Sequence, residues 1–251
     1  MGGYGGHEVK GFQRQDELNE RFYSIARRVM KRDVLDLPPV VFEDRVAHLD
    51  AKERKVYSQL EDEFYAWIDA GEEVTISNAL VKLLRLQQVT SGYVQNDNNE
   101  LSRVGHSKLD AFAEWLEDIP TDEPLVVFCR FIEDIEQLTY ECRKAGRTAG
   151  MLCGGTNDLQ AFKDGTLDTL VCQIQAGSEG IDLTRACICA FFSIGFSLGQ
   201  YEQALARCDR PGQTRSVTMV RFMAHGTVDE RCYQALADKK DAVQAILDAR
   251  P

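Results

Sequence analysis

The sequence lacks several patterns that enzymes acting on nucleotides usually carry. It contains no Gly-Lys dipeptide, which excludes a Walker A loop, and no Asp-Glu-x-His or other obvious pair of magnesium-binding carboxylates. It also lacks the G-x-G-x-x-G fingerprint that a dinucleotide-binding dehydrogenase needs. A chain without these elements is not expected to carry out phosphoryl or hydride transfer alone.

Membrane, disulfide and metal-binding patterns are missing as well. No apolar run approaches the roughly 20 residues that cross a bilayer, and the Gly-rich start does not resemble a signal peptide. The eight cysteines include no C-x-x-C pair, and the four histidines are far apart. We therefore expect reduced core cysteines, no metal ligands, no membrane contact and a cytoplasmic location.

Positive charge is also scarce, since the chain of 251 residues has a net charge of -11. Strong binding to nucleic acid through overall charge is therefore not expected, and any phosphate contact needs a local basic patch. The candidate patch consists of Arg21, Arg27, Arg28, Lys31 and Arg32.

Two kinds of segment follow one another along the chain. Up to residue 100 the pattern is mostly helical: helices are predicted at 16–32, 51–70 and 77–89, a weak strand at 40–49 and a turn at 96–99. Short apolar strands then alternate with helices. The strands are predicted at 125–129, 148–152, 169–174, 187–192 and 217–223, and the helices at 107–118, 132–145, 157–163 and 228–247. This alternation predicts an α/β fold with a parallel sheet flanked by helices.

Capping patterns are predicted before two of these helices. Ser107-Lys-Leu-Asp110 and Thr227-Val-Asp-Glu230 each place a hydroxyl three residues before a carboxylate, as a capping box does.

The stretch from Gln203 to Gln213 predicts an anion-binding surface. Read as a helix that runs into a turn, it places Gln203, Arg207 and Arg210 on one face, because residues three or four apart are neighbours there. Two adjacent guanidiniums suit an anion such as phosphate. Pro211-Gly212 ends the helix. The alternative is a solvated helix with two ordinary surface arginines.

A glycine loop, Gly177-Ser-Glu-Gly180-Ile-Asp182, directly follows the strand predicted at 169–174. Its glycines would let backbone amides approach a phosphate, and Asp182 would accept bonds from a sugar hydroxyl or hold an arginine. The alternative is a simple tight turn with Asp182 as a helix cap.

Ligands bind beyond the carboxyl ends of parallel strands. We therefore expect four segments to meet at one edge of the sheet: Cys129-Arg130, Gly154-Gly155, the glycine loop and the arginine helix. With arginines but no phosphate-binding lysine, they make up half of a nucleotide site.

The order of these motifs resembles superfamily-two helicases of the Swi/Snf-like branch. The stretch 203–213 is similar to their motif VI, 176–183 to motif V and 125–130 to motif IV. The segments 152–156, 27–39, 83–88 and 107–109 also fit. The histidine, isoleucine and Trp-Asn pair that are frequent in the family are replaced by Asp209, Pro211 and Phe196-Ser197, which points to a bacterial or phage-type member.

The resemblance implies a RecA-like second lobe of a two-lobe, DNA-dependent ATPase that translocates on DNA. It divides the chain into an inter-lobe connection severed from a missing first lobe (1–35), a helical protrusion (36–105) and the lobe itself (106–251). The implied partners are DNA, expected to be double-stranded, and the first lobe in cis or as a separate chain. The implied cofactor is ATP with Mg²⁺, held mainly by that first lobe, so the chain alone is expected to be inactive.

Residue roles follow from the same resemblance. Arg207 and Arg210 would be arginine fingers, Gln203 would orient the helix or the attacking water, and Gly180 and Asp182 would couple the nucleotide site to the DNA. The residues expected near DNA phosphates are Arg130, Gly155, Thr156 and Ser178. The alternative function is a non-catalytic DNA- or protein-binding module on a RecA-like fold.

Overall fold

The computed structural model describes residues 14–26, 37–69, 76–95, 100–176 and 180–238. The chain divides into two compact units between Leu37 and Pro38. In the first unit, helix α1 (Gln15–Ile25) covers the first part of the helix predicted at 16–32. The remainder of that helix, the predicted turn at 96–99, and Arg27, Arg28, Lys31 and Arg32 lie outside the described residues.

The second unit contains most of the predicted elements. Its helices are α2 (Ala51–Asp69), α3 (Ile76–Thr90), α4 (Ser107–Glu117), α5 (Ile132–Lys144), α6 (Leu159–Lys163), α7 (Leu198–Cys208) and α8 (Val228–Ala237). Its strands are β1 (Val40–Ala47), β2 (Tyr93–Gln95), β3 (Leu101–Arg103), β4 (Leu125–Cys129), β5 (Ala149–Cys153), β6 (Thr156–Asn157), β7 (Thr169–Gln173), β8 (Ile188–Phe191) and β9 (Val217–Ala224).

Seven strands form one sheet in the order β1-β9-β8-β4-β7-β5-β6. All neighbours run parallel except β5 and β6, which form an antiparallel hairpin through Gly154 and Gly155. The prediction of an α/β fold with a parallel sheet is confirmed. The hairpin was missed: the segment predicted as a helix from residue 157 begins with β6, and α6 starts at Leu159.

The sheet has an apolar core on each face, because successive strand side chains point to opposite sides. Phe128 and Phe191 belong to the core that includes residues of α2, α3, α7 and α8. Val127 and Phe222 belong to the other core, which includes residues of α4 and α5. All eight cysteines are free, and seven of them are buried, as expected for reduced core residues.

The segment predicted as a helical protrusion contributes to the same compact unit as the lobe. Strand β1 pairs with β9 along its whole length, and α3 contacts α8. The weak strand predicted at 40–49 is thus confirmed, and it lies at the edge of the sheet. The assignment of residues 36–105 as a protrusion stays a prediction.

The two predicted capping boxes have different outcomes. The box at Ser107 is wrong: the helix cap is His106, and the Ser107 hydroxyl and N–H both bond to the carboxylate of Glu53 in α2. The box before α8 is present in modified form. The Thr227 hydroxyl accepts from the Asp229 N–H at 3.2 Å, and Glu230 accepts from Gly226 rather than from Thr227.

Candidate functional site

The carboxyl ends of β4, β5, β7 and β8 lie at one edge of the sheet, because these strands are parallel neighbours. Arg130 directly follows β4, and Gly154-Gly155 follows β5. The loop after β7 and the segment before α7 begin at the same edge. The expected convergence is therefore present for the starts of all four segments.

The arginines of α7 are an exception to this convergence. Because β8 and β9 are parallel neighbours, α7 must run from the carboxyl edge back toward the amino ends of the strands. Its 11 residues span about 16 Å in that direction. Arg207 and Arg210 therefore lie on the flank of the sheet, and the prediction that they face the carboxyl edge is wrong.

Helix α7 presents two different faces. Tyr201, Ala204 and Cys208 are buried against the sheet, whereas Gln203 is exposed and Arg207 is half-buried. The helix ends before Arg210, since Asp209 leaves the helical conformation with φ -94° and ψ 85°. Arg210 is thus oriented by the turn rather than by helical spacing.

The turn after α7 packs on residues 180–186, which connect β7 to β8. Arg210 donates from Nη1 to the Ile181 carbonyl at 3.3 Å, and the Arg207 carbonyl accepts from the Leu183 N–H at 3.2 Å. Gln213 donates from Nε2 to the carbonyls of Thr184 and Ala186 at 3.1 and 3.0 Å. The stretches that resemble motifs V and VI therefore form one hydrogen-bonded unit.

Asp182 lies in this unit, where it is bonded to Thr184 and influenced by the charge of Arg210. Its Oδ1 accepts from the Thr184 N–H at 3.0 Å and from the Thr184 hydroxyl at 2.8 Å. These bonds, together with the charge of Arg210, hold the pKa of Asp182 below its usual range. A tight turn is present, as in the plain alternative, but no helix follows Asp182, so the helix cap was wrong. Gly180 has φ +56°, a conformation that favours glycine.

Arg130 packs against its own lobe at the carboxyl edge. Its guanidinium lies 5.9 Å from the ring centroid of Phe131 and 5.8 Å from that of Phe196, and burial lowers its pKa. A Cβ on Gly195 would lie 2.7 Å from Arg130 Nη1, so a larger residue there would displace the guanidinium from this position.

Two of the remaining predicted DNA contacts, Gly155 and Thr156, lie in the β5–β6 hairpin or its turn. Gly155 is exposed with φ +94°, and Thr156 is half-buried in the hairpin. Ser178 lies outside the described residues. The roles of these residues stay predictions.

A buried polar cluster below Arg130 was missed by the sequence analysis. Lys108, only 1% exposed, donates to Asp229 at 3.0 Å. Asp134, also 1% exposed, accepts from the hydroxyls of Ser193 and Ser91. Burial raises the pKa of Asp134 to about 6, although Lys108 and the two hydroxyls act in the opposite direction. The Ser107-Lys-Leu109 stretch was the signal available, but nothing in it indicated a buried charge.

Two further features bear on cofactors and location. Within the described ranges, no three His, Cys, Asp or Glu side chains are grouped so that they would hold a metal ion. The Arg210 guanidinium is a hydrogen-bond donor, so it suits phosphate oxygens rather than a cation. In that same part of the chain, every helix is too short or too polar to cross a membrane.

Comparisons with known proteins agree with this architecture. Residues 107–212 match the family described as the helicase conserved C-terminal domain. An uncharacterised ATP-dependent helicase of Mycoplasma genitalium is 23% identical over 237 residues, or 89% of this chain and 22% of the relative. The SWI2/SNF2 ATPase core of Sulfolobus solfataricus, solved in complex with dsDNA, has a TM-score of 0.64 at 20% identity and covers 92% of this chain and 52% of its own. The C-terminal part of the Fun30 ATPase domain has a TM-score of 0.63 at 18% identity, covering 79% of this chain and 89% of its own.

Residues 107–212 thus match the helicase C-terminal domain family, and the fold is the RecA-like one that the motifs predicted. The chain spans less than a quarter of the length of the Mycoplasma relative.

Proposed function

We propose that the chain is the second RecA-like lobe of a two-lobe, DNA-dependent ATPase that translocates on DNA. The observation that carries this proposal is the hydrogen-bonded unit that joins Arg207 and Arg210 to the connection after β7. That connection starts at the carboxyl edge, and its residues Ile181 and Leu183 contact the arginines. The lobe thereby links a nucleotide at its flank to a DNA strand at its edge.

Arg210 is the principal finger in this proposal. The bond to the Ile181 carbonyl fixes the direction of the guanidinium, and the negative charge of Asp182 keeps it nearby. A guanidinium carries five N–H donors, so this contact uses one of them. When ATP with Mg²⁺ is held by the first lobe, it supplies the γ-phosphoryl group whose developing charge such a donor stabilises. Arg207 supports Arg210 one turn earlier, and Gln203 extends the same surface.

DNA is proposed to run along the carboxyl edge, close to Arg130, Gly155, Thr156 and Ser178. The Sulfolobus relative of this fold was solved with dsDNA, which supports duplex DNA as the ligand. Because the chain carries a net charge of -11, these contacts are local and depend on the first lobe for affinity. The free cysteines support a cytoplasmic location. The proposed host is a bacterial or phage-infected cell.

The test is Arg210→Ala in the two-lobe protein, with DNA-stimulated ATP turnover and ATP affinity measured separately. Removal of a finger is expected to reduce turnover about 10³-fold or more with little change in ATP affinity. Arg215→Ala is the matched control, because Arg215 lies in the same loop but pairs with Glu123. Undiminished turnover in the Arg210 variant would refute the role. Salt-dependent DNA binding by the lobe, unaffected by changes at Arg207 or Arg210 and without coupled ATPase activity, would instead favour a non-catalytic binding module.

A further inference from the structure

A chain of hydrogen bonds lies beneath the turn that carries Arg130. The Arg130 N–H donates to the Ser193 hydroxyl at 2.8 Å, and that hydroxyl donates to Asp134 Oδ2. The Ser91 hydroxyl donates to the same carboxylate oxygen at 3.4 Å. A serine hydroxyl has a single proton, so donating it to Asp134 leaves the lone pairs of Ser193 facing the Arg130 amide.

The position of the turn after β4 also determines where the Arg130 guanidinium lies. The guanidinium packs over Phe196 and against Gly195, both of which follow Ser193 in the segment that leads to α7. Ser193 thus joins the segment after β8 to the turn after β4. A shift of this link would move the Arg130 side chain together with its backbone.

The charges around Asp134 are unbalanced. Lys108 is already paired with Asp229 at 3.0 Å, and its Nζ lies 4.9 Å from the centre of the Phe192 ring. Asp134 is therefore the second buried carboxylate beside one lysine. Within the described residues, its Oδ1 has no hydrogen-bond partner. A buried, incompletely bonded carboxylate disfavours folding, and such groups are concentrated at functional sites.

We propose that Asp134 is a positioning residue that, through the Ser193 hydroxyl, holds the turn carrying Arg130 in the geometry that contacts DNA. This inference rests on the DNA contact in the proposed function. A bond to an ionised acceptor is stronger than one to a neutral acceptor, so the link is tightest when Asp134 is charged. Because burial raises the pKa of Asp134 to about 6, the link weakens as the pH falls through that value.

Other groups face the same carboxylate and belong in any pH analysis. They are Lys108 on α4, Glu133 on α5, Tyr93 on β2 and Cys129 on β4. Burial raises the pKa of Tyr93 and of Cys129 well above the range in question, so neither thiol nor phenol titrates near pH 6. If a titration near pH 6 at this turn belongs to Asp134, it should disappear in the Asp134→Asn variant.

The first experiment uses the 251-residue chain itself and follows hydrogen exchange of the Arg130 amide from pH 5 to 8. After correction for intrinsic exchange, protection in the wild type is expected to fall about fivefold as the pH passes through 6. Asp134→Asn and Ser193→Ala should have low protection at every pH, whereas Glu136→Gln, an exposed change on α5, should behave as the wild type. Thermal unfolding separates this role from a loss of stability. Although its amide protection is lower, Asp134→Asn should melt at the same temperature as the wild type or higher at pH 7.5, because the excess buried charge is gone.

The second experiment measures duplex DNA binding by fluorescence anisotropy with the first lobe present. At pH 7.5, Asp134→Asn is expected to bind about fivefold more weakly than the wild type, and the two should converge at pH 5. If the wild type binds DNA and Asp134→Asn binds equally at every pH, the inference about Asp134 is wrong while the proposed function stands. If the wild type binds no duplex DNA, the proposed DNA contact fails, and the inference fails with it.

Discussion

Two arginines of this lobe, Arg147 and Arg210, have opposite environments. Arg147, at the amino edge of the sheet, is 3% exposed and donates to Thr169 and to the carbonyls of Pro120 and Glu123, with Asp168 at 3.4 Å. Arg210 is partly exposed and donates to one carbonyl at 3.3 Å. The first arrangement satisfies the guanidinium with the lobe's own acceptors. The second orients a guanidinium that remains accessible to a ligand.

The contrast separates structural from functional arginines without reference to sequence motifs. A buried guanidinium that donates to several of the lobe's own acceptors contributes to folding, and its loss leaves those acceptors unpaired. The partly exposed Arg210 guanidinium is held by a single bond within the described residues, so it contributes little to folding and its orientation points to a ligand. Substitutions at the two sites should therefore affect different quantities.

The largest stability effect is expected for Arg147→Ala. Removing this buried cation leaves two carbonyls and Asp168 without it, which should lower the free energy of unfolding by about 3–5 kcal/mol. Urea unfolding of the chain measures this loss. Arg147→Lys keeps the charge without the planar fork and should show a smaller loss. A stability loss at Arg210→Ala as large as that at Arg147→Ala would remove the distinction between the two arginines.

A smaller effect is expected for Gln213→Ala, which tests the connection between the two motif-bearing stretches. Gln213 donates to three carbonyls and accepts from the N–H groups of Thr214 and Arg215 at 3.0 Å. Leaving these groups unpaired should cost about 1–3 kcal/mol of unfolding free energy and should also reduce turnover, since the turn carrying Arg210 loosens. The exposed Gln203→Ala on the neighbouring helix is the matched control for stability. Equal unfolding curves for both variants would show that the Gln213 bonds do not hold the turn.

Much of this architecture could be predicted from apolar patterning. Strand β4 is entirely apolar and fully buried, and β7 and β9 are mostly apolar and mostly buried. The positions of these strands were therefore predicted to within a residue or two. Helix α7 was expected only as a helix within residues 203–213, and its observed bounds are Leu198–Cys208. These features depend on local sequence, in which hydrophobic spacing and secondary structure agree.

Features that depend on distant partners could not be predicted in this way. Lys108 and Asp134 are charged, and charge alone predicts exposure; their burial depends on Asp229 and Ser193, which are far away in sequence. The Glu53 carboxylate that accepts from the Ser107 N–H at the start of α4 could not be predicted for the same reason. Arg210 was expected one helical turn after Arg207, but the helix ends between them. Its orientation comes from a carbonyl 29 residues earlier in the chain.

The smallest effect is expected at Arg215, which lies at the amino edge but is exposed. Arg215 forms two bonds to Glu123, at 2.7 and 3.0 Å, and the bond from Arg215 lowers the pKa of Glu123. Because the carboxyl has a lower pKa when folded than when unfolded, the pair stabilises the fold above the unfolded pKa, and this contribution disappears as the pH falls through the folded pKa. The Arg215 side chain is 57% exposed, so solvent screening limits the loss in Arg215→Ala to about 0.5 kcal/mol at pH 7. Urea unfolding of both chains at pH 7 and pH 3 should show a difference that is smaller at the lower pH. A difference that stays the same at pH 3 would mean that Arg215 stabilises the edge through packing rather than through its charge.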